Sequence, residues 1–148
     1  MIFYRVVSWL PFPLLYAAAW GGYLVLYYLT GYRKAAVKQN LARAFPEKSA
    51  KEITVLAKNF YRNLSNTAFE IIKARRMSSD DFRQRVKLRN VELLEQATDN
   101  YSKSVIVLTI HQGNWEWMLH GATSALNIPI DPVYKPLHNK TVDRMIFD

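Results

Sequence analysis

The fold is decided by the stretch Val105-Ile106-Val107-Leu108-Thr109-Ile110-His111-Gln112-Gly113-Asn114-Trp115-Glu116. Its first half, 105–110, is a continuous apolar run rich in β-branched residues, which is typical of a strand buried on both faces. Asn114 is a good helix cap, and Glu116 then falls in the first turn of a helix predicted to run to about Leu126. A buried strand followed at once by a helix indicates a parallel sheet with crossover helices.

The same alternation continues on both sides of this stretch. Short strands are predicted at 86–89 and 129–134, and helices at 91–97 and 139–147. The second half of the chain therefore alternates helix and strand. We predict an α/β fold class, with the first part of a small and unfinished sheet.

Two helices are predicted before this sheet. The first covers 33–44 and ends at Phe45-Pro46, because proline disfavours a helical residue before it. Ser49 and Glu52 have the spacing of a capping box for the second helix, which should run to about Arg76. Helical spacing predicts that its buried face contains Ile53, Leu56, Phe60, Leu64 and Thr67.

The first thirty residues are predicted to enter a membrane. Val6 to Leu29 carries no charge and as a helix would run about 36 Å, more than the roughly 30 Å of a hydrocarbon core. Pro11 and Pro13 should kink this helix or delay its start to about residue 13. A spanning anchor, a re-entrant or interfacial helix and a cleaved signal peptide all remain open. The aromatic residues expected in an interfacial belt are Trp9, Trp20, Tyr23, Tyr27 and Tyr28.

Charge and composition narrow the possible functions. The net charge is +8, and Arg5 is the only charged residue before Arg33. The positive excess after the apolar segment predicts an anchor over 1–32 and a cytoplasmic body over 33–148. These charges could contact anionic headgroups or form a solvated basic face. The absence of cysteine excludes disulfides and thiol nucleophiles, and no nucleic-acid motif accompanies the positive charge.

His111 and Glu116 are the candidate catalytic pair. On one continuous helix they would lie about 140° apart, so they can meet only if the chain turns near Gly113. A carboxylate that orients a histidine lets the other ring nitrogen accept a proton from a hydroxyl. This suits attack of an alcohol on an acyl ester or thioester without an enzyme nucleophile. The alternative is a purely structural His111. His120 would complete a metal site by residue type, but we expect no metal.

The pattern His-x4-Asp/Glu at 111–116 resembles the signature of the glycerolipid acyltransferase superfamily. The fuller sequence resembles one branch, the bacterial lipid A biosynthesis acyltransferases, which are lauroyl and myristoyl transferases. The matching blocks are the apolar N-terminus, 31–47 with its Ala44-Phe45-Pro46-Glu47, the stretch 105–116, and 133–143. Together they cover almost the whole chain.

This resemblance implies transfer of a fatty acyl chain from acyl carrier protein, or acyl-CoA, to a hydroxyl of an anionic lipid A precursor. The enzyme would act at the cytoplasmic side of the inner membrane, without a cofactor. His111 would be the general base and Glu116 would orient it. Gly113, Asn114 and Lys135 would bind substrate, with Lys135 standing where the family usually has arginine and lacking its bidentate fork.

Two alternatives accompany this interpretation. The acceptor could instead be a lysophospholipid or another glycolipid. Family members are longer than this chain and carry further blocks that bind the acceptor phosphate, so we expect an N-terminal portion of such an enzyme. An inactive membrane-tethered fragment or interaction module is therefore the third hypothesis.

Overall fold

The computed structural model describes residues 2–110, 112–126 and 128–133. All regular secondary structure in these ranges is helical. The chain divides into two compact units, Met1–Lys73 (unit 1) and Ala74–Asp148 (unit 2). The predicted division into an anchor over 1–32 and a body over 33–148 remains a prediction.

Unit 1 is built from helices that begin and end where local sequence directs. In its described part they are α1 (Ile2–Trp9), α2 (Phe12–Leu24), a π-helical continuation of α2 (Val25–Leu29), α3 (Lys34–Ala44) and α4 (Ala50–Ala74). Pro11 occupies the N-cap position of α2, and Pro13 lies in the first turn, where a missing N–H costs nothing. The chain is therefore interrupted at the prolines, as predicted, and the long apolar helix starts at Phe12 after the separate helix α1. Gly31, with φ +58°, follows the π-helical turn in the left-handed conformation that is common at helix ends.

Helix α4 begins with the predicted capping box. The Ser49 N–H donates to Glu52 Oε2 at 2.8 Å, and the Glu52 N–H donates to Ser49 Oγ at 3.3 Å. The Ser49 hydroxyl and, as a smaller cause, the Ser49 N–H donate hydrogen bonds to the Glu52 carboxylate. These bonds hold the pKa of Glu52 below its ordinary value. Local side chains therefore set the start of this helix.

Helices α2 and α4 pack through two buried stripes with four-residue spacing. The stripe on α2 and its π-helical continuation is Leu15, Ala19, Tyr23 and Tyr27, and the stripe on α4 is Ile53, Ala57, Tyr61 and Ser65. Ser65 Oγ donates to the Ala19 carbonyl at 2.6 Å, and the Tyr27 and Tyr61 rings meet edge to face. The core of unit 1 lies along this helix pair.

The predicted buried face of α4 was wrong by about one residue. Ile53 is buried as expected, but Phe60 and Leu64 are 43% and 39% exposed. The prediction chose Phe60 and Leu64 because their side chains are large and hydrophobic. The partner helix instead selects small residues that allow close approach, together with Tyr61, whose hydroxyl donates to the Tyr32 carbonyl.

Unit 2 has a smaller core. Its described helices are α5 (Ser79–Arg85), α6 (Val91–Ala97) and α7 (Trp115–Ala125). Phe82 of α5 packs edge to face on Trp117 of α7, with 6.1 Å between ring centroids. Gly121 allows a close approach there, because a Cβ at this position would overlap the Val86 side chain. The α5–α7 contact therefore organises the described part of this unit.

The predicted α/β sheet is contradicted by the structure. No strand occurs in the described residues, and the predicted strands at 86–89, 105–110 and 129–133 are irregular there. In the run 105–110, Ile106 and Leu108 are 88% and 91% exposed. A β-branched run favours an extended backbone, but a strand also needs a neighbour to complete its hydrogen bonds. Tyr134 and the helix predicted at 139–147 lie outside the described residues.

Candidate functional site

The described part of the candidate site is the turn that leads into α7. Asn114 caps this helix: its Oδ1 accepts from the Trp117 N–H at 3.0 Å. Its carbonyl accepts from the Met118 N–H at 3.1 Å, which starts the helical hydrogen bonding. The helix ends at Ala125. The predicted cap and the predicted extent to about Leu126 are therefore confirmed.

A left-handed residue precedes the cap at Gly113, where φ is +67°. A Cβ built there would meet nothing within 4 Å, so glycine is required by backbone conformation and not by lack of space. Just upstream, the Gln112 N–H donates to the Ile110 carbonyl at 2.8 Å. The chain thus turns between the apolar run and α7, which is the place where the sequence requires a turn.

Glu116 is the second residue of α7 and is half-buried. A carboxylate in the first helical turn is favoured by the partial positive charge of the unsatisfied N–H groups there. The Gly113 turn and the Asn114 cap therefore hold Glu116 at a defined end of a defined helix. Its backbone position is set by neighbours within three residues.

The other two predicted site residues, His111 and Lys135, lie outside the described residues. The pairing of His111 with Glu116 and the substrate-binding role of Lys135 therefore stay predictions. In the described ranges, no group of three His, Cys, Asp or Glu side chains could hold a metal ion. His120, considered above as a ligand, stacks on Phe82 with 4.8 Å between ring centroids.

A second candidate surface is the apolar N-terminal segment. Phe12–Leu29 is one helical run of 18 residues, long and apolar enough to cross a membrane, and only 22% of it is buried within the protein. Of the aromatic residues predicted to form an interfacial belt, Trp9, Trp20 and Tyr28 are exposed. Tyr23 and Tyr27 instead belong to the core of unit 1.

Beside this segment lies a groove of about 240 Å³ that the sequence alone did not reveal. It is lined by Tyr16, Trp20 and Tyr23 of α2 and by Arg62 and Asn66 of α4. The four-residue spacing of Arg62 and Asn66 was visible in the sequence. Their position next to α2 was not, because it depends on how the two helices pair.

Comparison with known proteins decides the family. The sequence matches the family described as Bacterial lipid A biosynthesis acyltransferase over residues 1–148. This chain belongs to that family. The acyltransferase therefore acts in lipid A biosynthesis, and its substrates are an acyl donor and a lipid. The N-terminal apolar helix agrees with membrane association.

Two further comparisons found nothing similar. No curated protein and no solved structure matches the acyltransferase.

Proposed function

We propose that the acyltransferase moves a fatty acyl chain from acyl carrier protein, or from acyl-CoA, to a hydroxyl of a lipid A precursor. The observation that carries this proposal is the family match across the whole chain. The reaction would take place at the cytoplasmic face of the inner membrane. The basic residues that follow the apolar segment support this side, because positive charge is retained in the cytoplasm.

In the proposed reaction His111 is the general base. It takes the proton from the acceptor hydroxyl as the oxygen attacks the thioester carbonyl carbon. The tetrahedral intermediate then breaks its carbon–sulfur bond, and the departing thiolate takes the proton from the His111 imidazolium. The products are the new ester and a free thiol. No enzyme nucleophile is needed, in keeping with a sequence that has no cysteine.

Glu116 orients the His111 ring and stabilises its protonated form in this scheme. The left-handed turn at Gly113 and the cap at Asn114 support this role, because they hold Glu116 in the first turn of α7. Gly113 and Asn114 would also border the substrate. Lys135 would contact an acceptor phosphate as a point charge.

The positive charge of the chain supports anionic partners. The net charge of +8 favours association with phosphorylated glycolipid and with an acidic carrier protein. These contacts are long-range and would weaken as salt is added.

A transfer assay with the full chain in detergent tests the proposal. Labelled acyl carrier protein and a lipid A precursor are incubated with the parent, His111→Ala, Glu116→Gln and the matched control His120→Ala. We expect His111→Ala to lower transfer by about 10²- to 10⁴-fold and Glu116→Gln by less. His120→Ala should retain transfer, because that ring packs on Phe82.

Each other outcome has a defined meaning. Transfer by His111→Ala equal to the parent would remove His111 from the mechanism. Label in a phospholipid when a lysophospholipid is offered, with none in the lipid A precursor, would favour the alternative acceptor. Lipid binding without transfer by any variant would favour a non-catalytic membrane-tethered module.

A further inference from the structure

We propose that the N-terminal helices of this chain lie in the plane of one membrane leaflet instead of crossing the bilayer. The proposal deepens the membrane localisation and rests on the proposed function only for the choice of a phospholipid bilayer as the partner. It is carried by the charged residues that α4 places along the whole apolar segment.

Three cations of α4 lie over aromatic rings of this segment. Distances to the ring centroids are 5.6 Å for Lys73 over Phe12, 5.2 Å for Arg62 over Tyr23 and 5.9 Å for Lys58 over Tyr28. We name Lys58, Arg62 and Lys73 the cationic stripe. From Phe12 to Tyr28 the rings extend over about 24 Å of helix. The stripe therefore follows the apolar segment over nearly its full length.

Polar contacts fill the interval between these cations. The Tyr16 hydroxyl donates to Glu70 Oε1 at 2.9 Å, and Ser65 Oγ donates to the Ala19 carbonyl at 2.6 Å. Tyr61 is completely buried between the helices. Separating α2 from α4 would expose this core, so the two helices must enter a membrane together or not at all.

Crossing the bilayer would place the charges of α4 in hydrocarbon. The segment Phe12–Leu29 is about 27 Å long, slightly shorter than a hydrocarbon core of roughly 30 Å. Arg62, which lies over Tyr23, would then be about 4 Å from the bilayer midplane. Charged side chains at that depth are strongly disfavoured, and snorkelling relieves them only near helix ends. A spanning orientation is therefore incompatible with the observed helix pair.

An in-plane orientation keeps the charged side chains of α4 out of the hydrocarbon core. Neither α2 nor its π-helical continuation carries a charge, and their exposed apolar side chains include Leu14, Trp20 and Tyr28. Trp20 is near the middle of the segment and is 56% exposed. A spanning helix would put this indole at the bilayer centre, whereas tryptophan favours the interface. An interfacial helix instead keeps this indole at a shallow depth.

Charge complementarity identifies the partner as an anionic leaflet. Unit 1 contains ten Lys and Arg against three Glu, a net charge of +7. The groove between the helices sets Arg62 and Asn66 beside Trp20. With α2 resting on the acyl chains, these two side chains lie at headgroup level, where lipid phosphates accept hydrogen bonds.

Depth measurements on single-cysteine variants of the full chain test the orientation. Because the chain has no cysteine, Leu14→Cys, Gly21→Cys and Tyr28→Cys each carry a single fluorescent label. The seven-residue spacing keeps Leu14 and Gly21 on one face of α2, and Tyr28 follows in the π-helical continuation. The vesicles contain phosphatidylethanolamine and phosphatidylglycerol, with quenchers at known acyl depths. Asn63→Cys, exposed on α4, is the matched control.

We expect the three labels on α2 to have the same depth, about 5–10 Å below the headgroups, and the Asn63 label to be shallower. A label at position 21 about 10 Å deeper than the other two would show a spanning helix and overturn the proposal. No quenching at any α2 position would also overturn it.

A second measurement tests the anionic partner. We expect Arg62→Gln to weaken partition into these vesicles about five-fold, with unchanged helical content by circular dichroism. Equal partition into vesicles of phosphatidylcholine alone would contradict the charge argument. Both measurements are independent of acyl transfer. An inactive chain with equal shallow depths would refute the proposed function and leave this orientation intact.

Discussion

Unit 1 and unit 2 are each stabilised by a different kind of internal packing. In unit 1, long helices from nearby parts of the sequence bury complementary stripes, and Leu15, Ala57 and Tyr61 become inaccessible to solvent. Unit 2 has the smaller α5–α7 core and leaves the most β-prone run, 105–110, exposed. A helix makes its backbone hydrogen bonds within itself, so it needs only an apolar face that packs on a neighbour. A strand needs a second strand for its backbone hydrogen bonds.

The two units also differ in net charge. Unit 1 has a net charge of +7, whereas unit 2 has ten Lys and Arg against nine Asp and Glu, a net charge of +1. The turn that carries Gly113 and Glu116 belongs to the nearly neutral unit. Under the proposed function, attraction to anionic surfaces would lie in unit 1 and the chemistry would lie in unit 2.

The largest expected effect comes from breaking the core of unit 1. Tyr61→Ala should lower the free energy of unfolding by about 3–5 kcal/mol, because it empties a fully buried site and removes the hydroxyl bond to Tyr32. Chemical denaturation in detergent, with hydrogen exchange along α4, measures this loss. Phe60→Ala is the matched control and should cost far less. A larger loss of stability for Phe60→Ala than for Tyr61→Ala would instead support the buried face of α4 that the sequence predicts.

An intermediate effect is expected in the core of unit 2. Gly121→Ala should cost about 1–3 kcal/mol, because the new methyl group overlaps the Val86 side chain. Thermal unfolding followed by tryptophan fluorescence, to which the buried Trp117 contributes, detects this change. Val86→Ala in the same chain should recover part of the loss. If the double variant were no more stable than Gly121→Ala, close packing at this contact would not hold unit 2 together.

The smallest effect concerns the start of α4. Ser49→Ala should cost about 1 kcal/mol at neutral pH. Because the pKa of Glu52 is lower in the folded chain, its contribution is present above the unfolded pKa and is lost as the pH falls through the folded pKa. Unfolding measured from neutral pH into the acid range should therefore show a smaller pH dependence for Ser49→Ala than for the parent. Identical pH profiles would contradict this linkage.

Helix boundaries were predictable wherever a few neighbouring residues decide them. Pro11 at the start of α2, Ser49 before α4 and Asn114 before α7 each act within three or four residues. The buried face of α4 was not predictable, because it depends on how α4 pairs with α2. The predicted sheet failed for the same reason on a larger scale, since 105–110 has no strand beside it in the described residues.

The candidate site was also predictable from the sequence only in part. The turn at Gly113 and the position of Glu116 in the first turn of α7 follow from local sequence, and the structure has both. The pairing of Glu116 with His111 depends on side-chain geometry outside the described residues. The groove that contains Arg62 and Asn66 arises from helix pairing, so periodicity within one helix could not reveal it.

The exposure of residues 105–110 has a practical consequence for handling this protein. Six consecutive uncharged residues, rich in valine and isoleucine and without proline or glycine, have the composition of segments that stack into cross-β fibrils. Leu108 at 91% exposure offers no steric barrier to such stacking. Concentrated preparations should therefore be prone to fibrillar aggregation, and a lysine at position 108 would act as a gatekeeper against it.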